Sequence, residues 1–172
     1  YLTDLKTAGS YKVAKALGLV KFTEEIEIGE FFKSGPNKGQ QKTKKIHHFK
    51  ISEEKKDCED WELQLNRYRL FFEEAGFPIS RMQVQVTMRD GGLFIAAQRG
   101  FEKSQKIFLI PIRRLNDEEV LDYFDKKAKA LIEALDWEEL PPPCNEKERW
   151  EGTRCKEFCS VAEFCDSGFE LI

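Results

Sequence analysis

The sequence lacks several features that would assign it to a protein class at once. No apolar run approaches the roughly 20 residues that a transmembrane helix needs, so a membrane span is not expected. The first residues have neither the basic nor the apolar region of a signal peptide, and no initiating Met is present. We therefore expect a fragment or processed product. The net charge of −3 argues against a protein that coats nucleic acid by charge alone.

What is present is the composition of an ordinary globular domain, with 41% hydrophobic and 34% charged residues. Apolar periodicity and turn residues predict an α/β order of strands and helices. The predicted strands and helices are, in chain order, a strand at 1–6, a helix at 10–19, a protruding hairpin near 24–51, a helix at 57–75, a hairpin of 81–88 with 93–97, a strand at 107–112 and a helix at 116–135.

The first chemical motif is Asp4-Leu5-Lys6 at the end of the first predicted strand. Alternation along a strand places Asp4 and Lys6 on one face, and we expect Leu5 to point into the core. A carboxylate can hold a divalent cation, and an adjacent ammonium can stabilise charge during phosphodiester hydrolysis. An isolated pair of this kind is more often a solvated strand edge.

The second motif lies in the helix predicted at 57–75. Gln64 and Tyr68 are one helical turn apart and share a face. The alternative is that Tyr68 belongs to the apolar stripe of Trp61, Leu65 and Phe72, with Gln64 an incidental surface amide.

Four of the five cysteines, Cys144, Cys155, Cys159 and Cys165, are crowded into the last part of the chain. Short spacings of this kind favour metal ligation in a reducing compartment, as zinc or an iron–sulfur cluster. Two disulfides, or thiols buried as hydrophobic side chains, are the alternatives.

A strand ending in D-x-K-T followed by a helix with Q-L-x-x-Y resembles the RecB-like branch of the PD-(D/E)XK nucleases. The resemblance implies a restriction-endonuclease-like α/β core, with a mixed central sheet flanked by helices. It implies a Mg²⁺- or Mn²⁺-dependent deoxyribonuclease, exonucleolytic, acting on single-stranded DNA or free ends. Asp4 would be the metal ligand, Lys6 the catalytic lysine, and Gln64 and Tyr68 would position the substrate or the metal site. That family has further acidic motifs upstream of D-x-K, so we expect this fragment alone to be inactive.

The cysteine-rich segment, predicted at 140–172 after a core at 1–139, resembles the C-terminal cluster of AddB-type and CRISPR-associated RecB-like nucleases. The words Leu140-Pro141-Pro142-Pro143-Cys144 and Glu148-Arg149-Trp150 also resemble phage-encoded relatives. The resemblance implies a 4Fe–4S cluster and a cytoplasmic protein, in a cell or in a phage's host. The spacing here is C-x3-C-x5-C where the family has C-x2-C-x5-C. Zinc therefore stays an alternative, and Cys144 is either the fourth ligand or a bystander.

Lys38, Lys42, Lys44 and Lys45 form a candidate DNA-backbone contact near the tip of the first hairpin. A merely solvated loop is the competing interpretation. For the whole chain, the alternative to a nuclease is a non-catalytic DNA-binding or scaffold module on a degenerate nuclease fold with structural zinc.

Overall fold

The computed structural model describes residues 1–31, 33–138 and 142–170, and the chain divides into two compact units, Tyr1–Val120 and Leu121–Ile172. Six residues lie outside the described residues: Phe32 at the end of a predicted hairpin strand, Glu139 at the end of the predicted core, and Leu140, Pro141, Leu171 and Ile172 of the predicted tail. The predicted boundary at 139/140 also falls there, so it stays a prediction.

Among the described residues, the first unit contains five strands, three helices, a 3-10 turn and the start of a long helix, and the second contains the rest of that helix followed by short helices. The first unit contains β1 (Leu2–Ala8), α1 (Ser10–Leu17), β2 (Leu19–Phe31), β3 (Gln41–Ile51), a 3-10 turn (Glu53–Lys55), α2 (Glu59–Glu74), β4 (Met82–Met88), α3 (Phe94–Ala97), β5 (Ile107–Ile112) and the start of α4 (Asp117–Trp137). The second contains the rest of α4, α5 (Glu146–Arg149), α6 (Thr153–Glu157), a 3-10 turn (Ala162–Phe164) and α7 (Asp166–Phe169).

The central sheet is mixed, with strand order β1-β4-β5. β1 and β4 are parallel, and β4 and β5 are antiparallel. A parallel pair needs a crossover, which α1, the β2–β3 hairpin and α2 supply between β1 and β4. The inner face of the sheet is apolar at its centre, where Val84, Val86 and Ile110 are fully buried. The expected α/β class with a mixed sheet and helices is confirmed.

The inner face of β1 does not contain Leu5, which is 71% exposed. The prediction that Leu5 enters the core was wrong, although Asp4 and Lys6 do share a face. They occupy the half-buried inner positions, opposite Val84 and Val86 of β4. Because side chains alternate, two polar groups on the inner face force Leu5 to the other side.

The predicted hairpin of 81–88 with 93–97 was also wrong. Residues Phe94–Ala97 form a helix, and β4 pairs instead with β5. Asp90, which lies between the two predicted strands, accepts hydrogen bonds from the backbone N–H and the hydroxyl of Ser10 at 2.7 and 2.6 Å. This long-range contact connects the end of β4 to the start of α1. The antiparallel partner of β4 is β5, further along the chain.

The β2–β3 hairpin is antiparallel, as predicted, and longer than expected. α1 ends at Gly18 in the left-handed region, with φ of 68°. A Cβ there would lie 2.2 Å from the carbonyl oxygen of Ser52, so only glycine fits this approach between helix end and hairpin. Ser10 is not the N-cap of α1; Gly9 occupies that position.

α2 buries a polar as well as an apolar face. Trp61 and Leu65 are buried as expected, but Tyr68 and Phe72 are 38% and 45% exposed. The predicted four-residue stripe is therefore wrong in its second half. Asn66 and Arg69 are fully buried in its place.

In the second unit, α5 begins with a capping box. The Asn145 side chain accepts from the backbone N–H of Glu148, and the Glu148 carboxylate accepts from the backbone N–H of Asn145. Glu148 also pairs with Lys127 of α4, and this contact lowers the pKa of the Glu148 carboxyl below its ordinary value. Within the described ranges, no helix is both long and apolar enough to cross a bilayer.

Candidate functional site

Four polar side chains from β1 and α2 form one connected row. The Lys6 ammonium lies 2.8 Å from the Asp4 carboxylate and donates to Gln64 Oε1 at 2.6 Å. Gln64 Nε2 in turn donates to the Tyr68 hydroxyl oxygen at 2.6 Å. The two motifs, 58 residues apart between Lys6 and Gln64, therefore meet at one place.

Donor and acceptor chemistry fixes the direction of this row. An ammonium can only donate, so the oxygen of the Gln64 amide must face Lys6 and its nitrogen must face Tyr68. The Tyr68 oxygen accepts from Gln64, which leaves its own O–H free to donate elsewhere. Lys6 has three N–H donors. One of them donates to Gln64, and the ammonium also forms the ion pair with Asp4.

Asp4 combines burial with an incomplete set of contacts. Its side chain is 24% exposed, and its Oδ2 atom is buried without a hydrogen-bond partner among the described residues. The approach of Lys6 to Oδ2 is an ion pair by distance but is not aligned as a hydrogen bond. A buried carboxylate oxygen without a hydrogen bond is costly unless a cation or another donor completes it. The Lys6 ammonium, 2.8 Å away, supplies such a cation, and the Asp4 carboxylate is also the type of ligand that a hard divalent cation binds.

The opposite face of α2 fixes the position of Gln64 and Tyr68. Asn66 Nδ2 donates to the carbonyl oxygens of Glu62 and Arg113, and Asn66 Oδ1 accepts from the Leu115 N–H and from Arg69. Each polar atom of this fully buried amide thus has two partners, and two of these partners lie in the segment after β5. The burial of Asn66 was not predicted from the sequence, because the helical periodicity of apolar residues does not identify a polar residue that is buried.

Arg69 completes this anchor. Its guanidinium, fully buried, donates to Glu73 at 2.7 Å and to Asp117 at 2.5 Å. Burial opposes the charge on Arg69, but the hydrogen bonds to Asp117 and Glu73 outweigh it and raise the pKa of the guanidinium. A bidentate contact from Arg114 contributes most to lowering the pKa of Glu73, and Arg69 adds to it. The network joins α2 to the first turn of α4 within the first unit.

The cysteines do not gather around one point in the part of the chain that the structure describes. Cys144 is exposed, and Cys155, Cys159 and Cys165 are half-buried, all as free thiols. Among the described residues, no group of three or more His, Cys, Asp or Glu side chains is placed to hold a metal ion. Ligation of zinc or an iron–sulfur cluster by these thiolates stays a prediction.

The lysines of the hairpin face glutamates of the neighbouring strand. Lys42 pairs with Glu30 at 2.9 Å and Lys45 with Glu25 at 3.1 Å. The Lys42 contact also lowers the pKa of Glu30. Two of the four lysines predicted to contact DNA are thus partly neutralised, whereas Lys38 lies in the turn and Lys44 on β3 opposite Ile26.

Comparisons of the chain with protein-family models, with curated proteins and with solved structures found no match.

Proposed function

We propose that the row of Asp4, Lys6, Gln64 and Tyr68 is the phosphodiester-binding half of a metal-dependent DNA nuclease site. The observation that supports this most is the contact between two motifs distant in sequence, with Lys6 held by both Asp4 and Gln64. Electrostatic anchoring of an ammonium by a carboxylate and an amide is what orients a lysine towards a phosphate. A RecB-like PD-(D/E)XK nuclease in the cytoplasm is the family and place that we propose.

Each residue has a role that its contacts allow. Asp4 holds the divalent ion through its carboxylate, and Lys6 donates an N–H that Gln64 does not use to a non-bridging phosphate oxygen. Gln64 fixes the direction of Lys6, and the Tyr68 hydroxyl donates to the DNA backbone from its exposed position. Mg²⁺ or Mn²⁺, when bound, would supply charge neutralisation at the phosphate and a more acidic water.

The second candidate function is a DNA-binding or scaffold module without catalysis. It is favoured by one observation: Asp4 is the single carboxylate in the row, and the described residues contain no group of three acidic, His or Cys side chains placed for a metal. Mg²⁺ is usually held by one or two carboxylates together with substrate phosphates, so a single carboxylate makes a weak site.

The experiment is Mn²⁺-dependent cleavage of an end-labelled single-stranded oligonucleotide by the protein with any residues encoded upstream of Tyr1 included. Replacing Lys6→Met should reduce the rate about 10²-fold or more, the effect of removing one stabilising donor. Lys12→Met is the matched control, because Lys12 also pairs with an aspartate, Asp60, at 2.6 Å. Equal rates for Lys6→Met and wild type would refute the proposal. Binding of the oligonucleotide without cleavage by the wild type would establish the second candidate instead.

A further inference from the structure

A cationic pocket opens in the first unit, away from the row of motif residues. It has a volume of about 250 Å³ and lies among α1, the base of the β2–β3 hairpin, the 3-10 turn and the end of the α3 segment. We define the α1 pocket by six of its lining residues, Tyr11, Lys15, Lys21, Phe49, Lys55 and Arg99. None of the described residues that line it is acidic.

Four cations from four separate segments converge on this cavity. Lys15 has Asp57 at 3.4 Å, and Arg99 has Asp90 at 3.8 Å. Lys21 and Lys55 form no ion pair with any residue that the structure describes. Positive charge in a concave surface concentrates the field and attracts an anion.

Two aromatic rings line the same cavity. Lys15 and Arg99 lie 5.5 and 5.8 Å from the centre of the Tyr11 ring, so two cations are already close to this ring. Phe49 is fixed against the backbone of Gly100, where an added Cβ would lie 2.4 Å from the ring. Cations beside aromatic rings are the combination that binds single-stranded nucleic acid, through phosphate contacts and base stacking.

The volume limits the size of the ligand. Pockets for drug-sized molecules hold about 300–1,000 Å³, so a cavity of about 250 Å³ suits a phosphate with part of its nucleotide. We propose that the α1 pocket binds one nucleotide unit of a single DNA strand, with the phosphate between Lys21 and Lys55 and a base against Tyr11 or Phe49. The choice of DNA rests on the proposed nuclease function; the preference for an anion with an aromatic group follows from the pocket.

The test measures binding of fluorescein-labelled oligothymidylate by anisotropy, without divalent ions, over a range of salt concentrations. The variant is the double substitution Lys21→Gln with Lys55→Gln. Lys103→Gln with Lys106→Gln is the control, since both lysines are exposed and line no part of the pocket. Each phosphate neutralised on a single strand contributes about 0.7 to the slope of log K against log salt, and the pocket holds one phosphate, so the pocket variant should lower the slope by about 0.7.

Binding at low salt should weaken by about tenfold in the pocket variant and little in the control. A Tyr11→Leu variant should weaken binding while leaving the salt slope unchanged, because stacking releases no counterions. Equal slopes for the pocket variant and the control would overturn the inference. So would thymidine monophosphate competing as well as the oligonucleotide, because a strand would then not be the ligand.

The two proposals fail separately. Cleavage that depends on Lys6 but not on the pocket lysines, with an unchanged salt slope, would refute the pocket and leave the nuclease. A salt slope that depends on Lys21 and Lys55, in a protein that cleaves no DNA, would refute the nuclease and leave the pocket.

Discussion

Replacing the buried Arg69 by methionine should destabilise the first unit strongly. Arg69 is fully buried and contacts Asn66, Glu73 and Asp117 at 3.3, 2.7 and 2.5 Å. Methionine keeps the apolar stem of the side chain but does not reach the position of the guanidinium, so the lost ion pairs are accompanied by a small cavity. The arginine joins the middle of α2 to the first turn of α4 through its ion pair with Asp117.

The size of this destabilisation depends on the contacts that the partners of Arg69 keep after the substitution. Breaking a buried ion pair costs about 3–5 kcal/mol when the other charge is left uncompensated. Here Glu73 keeps its bidentate contact with Arg114, and the Asp117 side chain is 51% exposed and can be hydrated. The cost should therefore lie near the lower end, about 3 kcal/mol. For a unit of this size that corresponds to a fall in Tm of roughly 10 °C.

Urea denaturation followed by circular dichroism measures this change. Arg113→Met is the matched control, because Arg113 is 71% exposed and makes one ion pair with Glu62; its loss should cost about 1 kcal/mol or less. Since the folded-state pKa of Glu73 is lowered, its stabilisation is present above the unfolded pKa and is lost as pH falls through the folded value. The decrease in the free energy of unfolding on acidification should therefore be smaller in Arg69→Met than in the wild type. A variant as stable as Arg113→Met would refute this account of the anchor.

Three further predictions concern other parts of the chain. Gly100→Ala should cost about 2 kcal/mol in urea denaturation, because φ is +89° and the new Cβ would collide with Phe49; a neutral effect would contradict the packing. Burial raises the pKa of the Cys58 thiol to about 11, so it should react with a disulfide reagent at pH 8 at least about tenfold more slowly than the exposed Cys144; equal rates in the folded protein would contradict its burial. Cys159→Ala should lower metal content and thermal stability together if the tail binds zinc or an iron–sulfur cluster, and unchanged stability would count against such a site.

Local sequence signals predicted the elements that local interactions determine. The β2–β3 hairpin, the α2 helix and the helix at 116–135 were all predicted from patterns within a few residues. Asn116 stands just before α4 and accepts from the N–H groups of Glu118 and Glu119. The pairing of Asp4-x-Lys6 with the α2 helix was expected from resemblance alone, and the contact between Lys6 and Gln64 agrees with it. A family assignment does not follow from that contact.

Long-range competition explains the errors. Residues 89–92, between the two strands of the predicted hairpin, do form a turn. The Asp90 carboxylate within it accepts hydrogen bonds from Ser10, 80 residues away. β4 then takes the apolar segment at Ile107–Ile112 as its partner, and residues 94–97 become helical. The α1 pocket could not be predicted, since Lys21, Lys55 and Arg99 are separated by whole elements and share no local pattern.

Divalent-ion binding at Asp4 tests the central claim most directly. Titration of Mn²⁺, followed by the loss of the free-ion electron paramagnetic resonance signal, compares the wild type with Asp4→Asn and with Asp60→Asn, an aspartate paired to Lys12 in the same way. We expect Asp4→Asn to raise the Kd for Mn²⁺ at least about tenfold, because a neutral amide is a poorer ligand for a hard cation, while Asp60→Asn leaves it unchanged. Equal Mn²⁺ binding by all three proteins would contradict the proposal that Asp4 is a metal ligand beside Lys6.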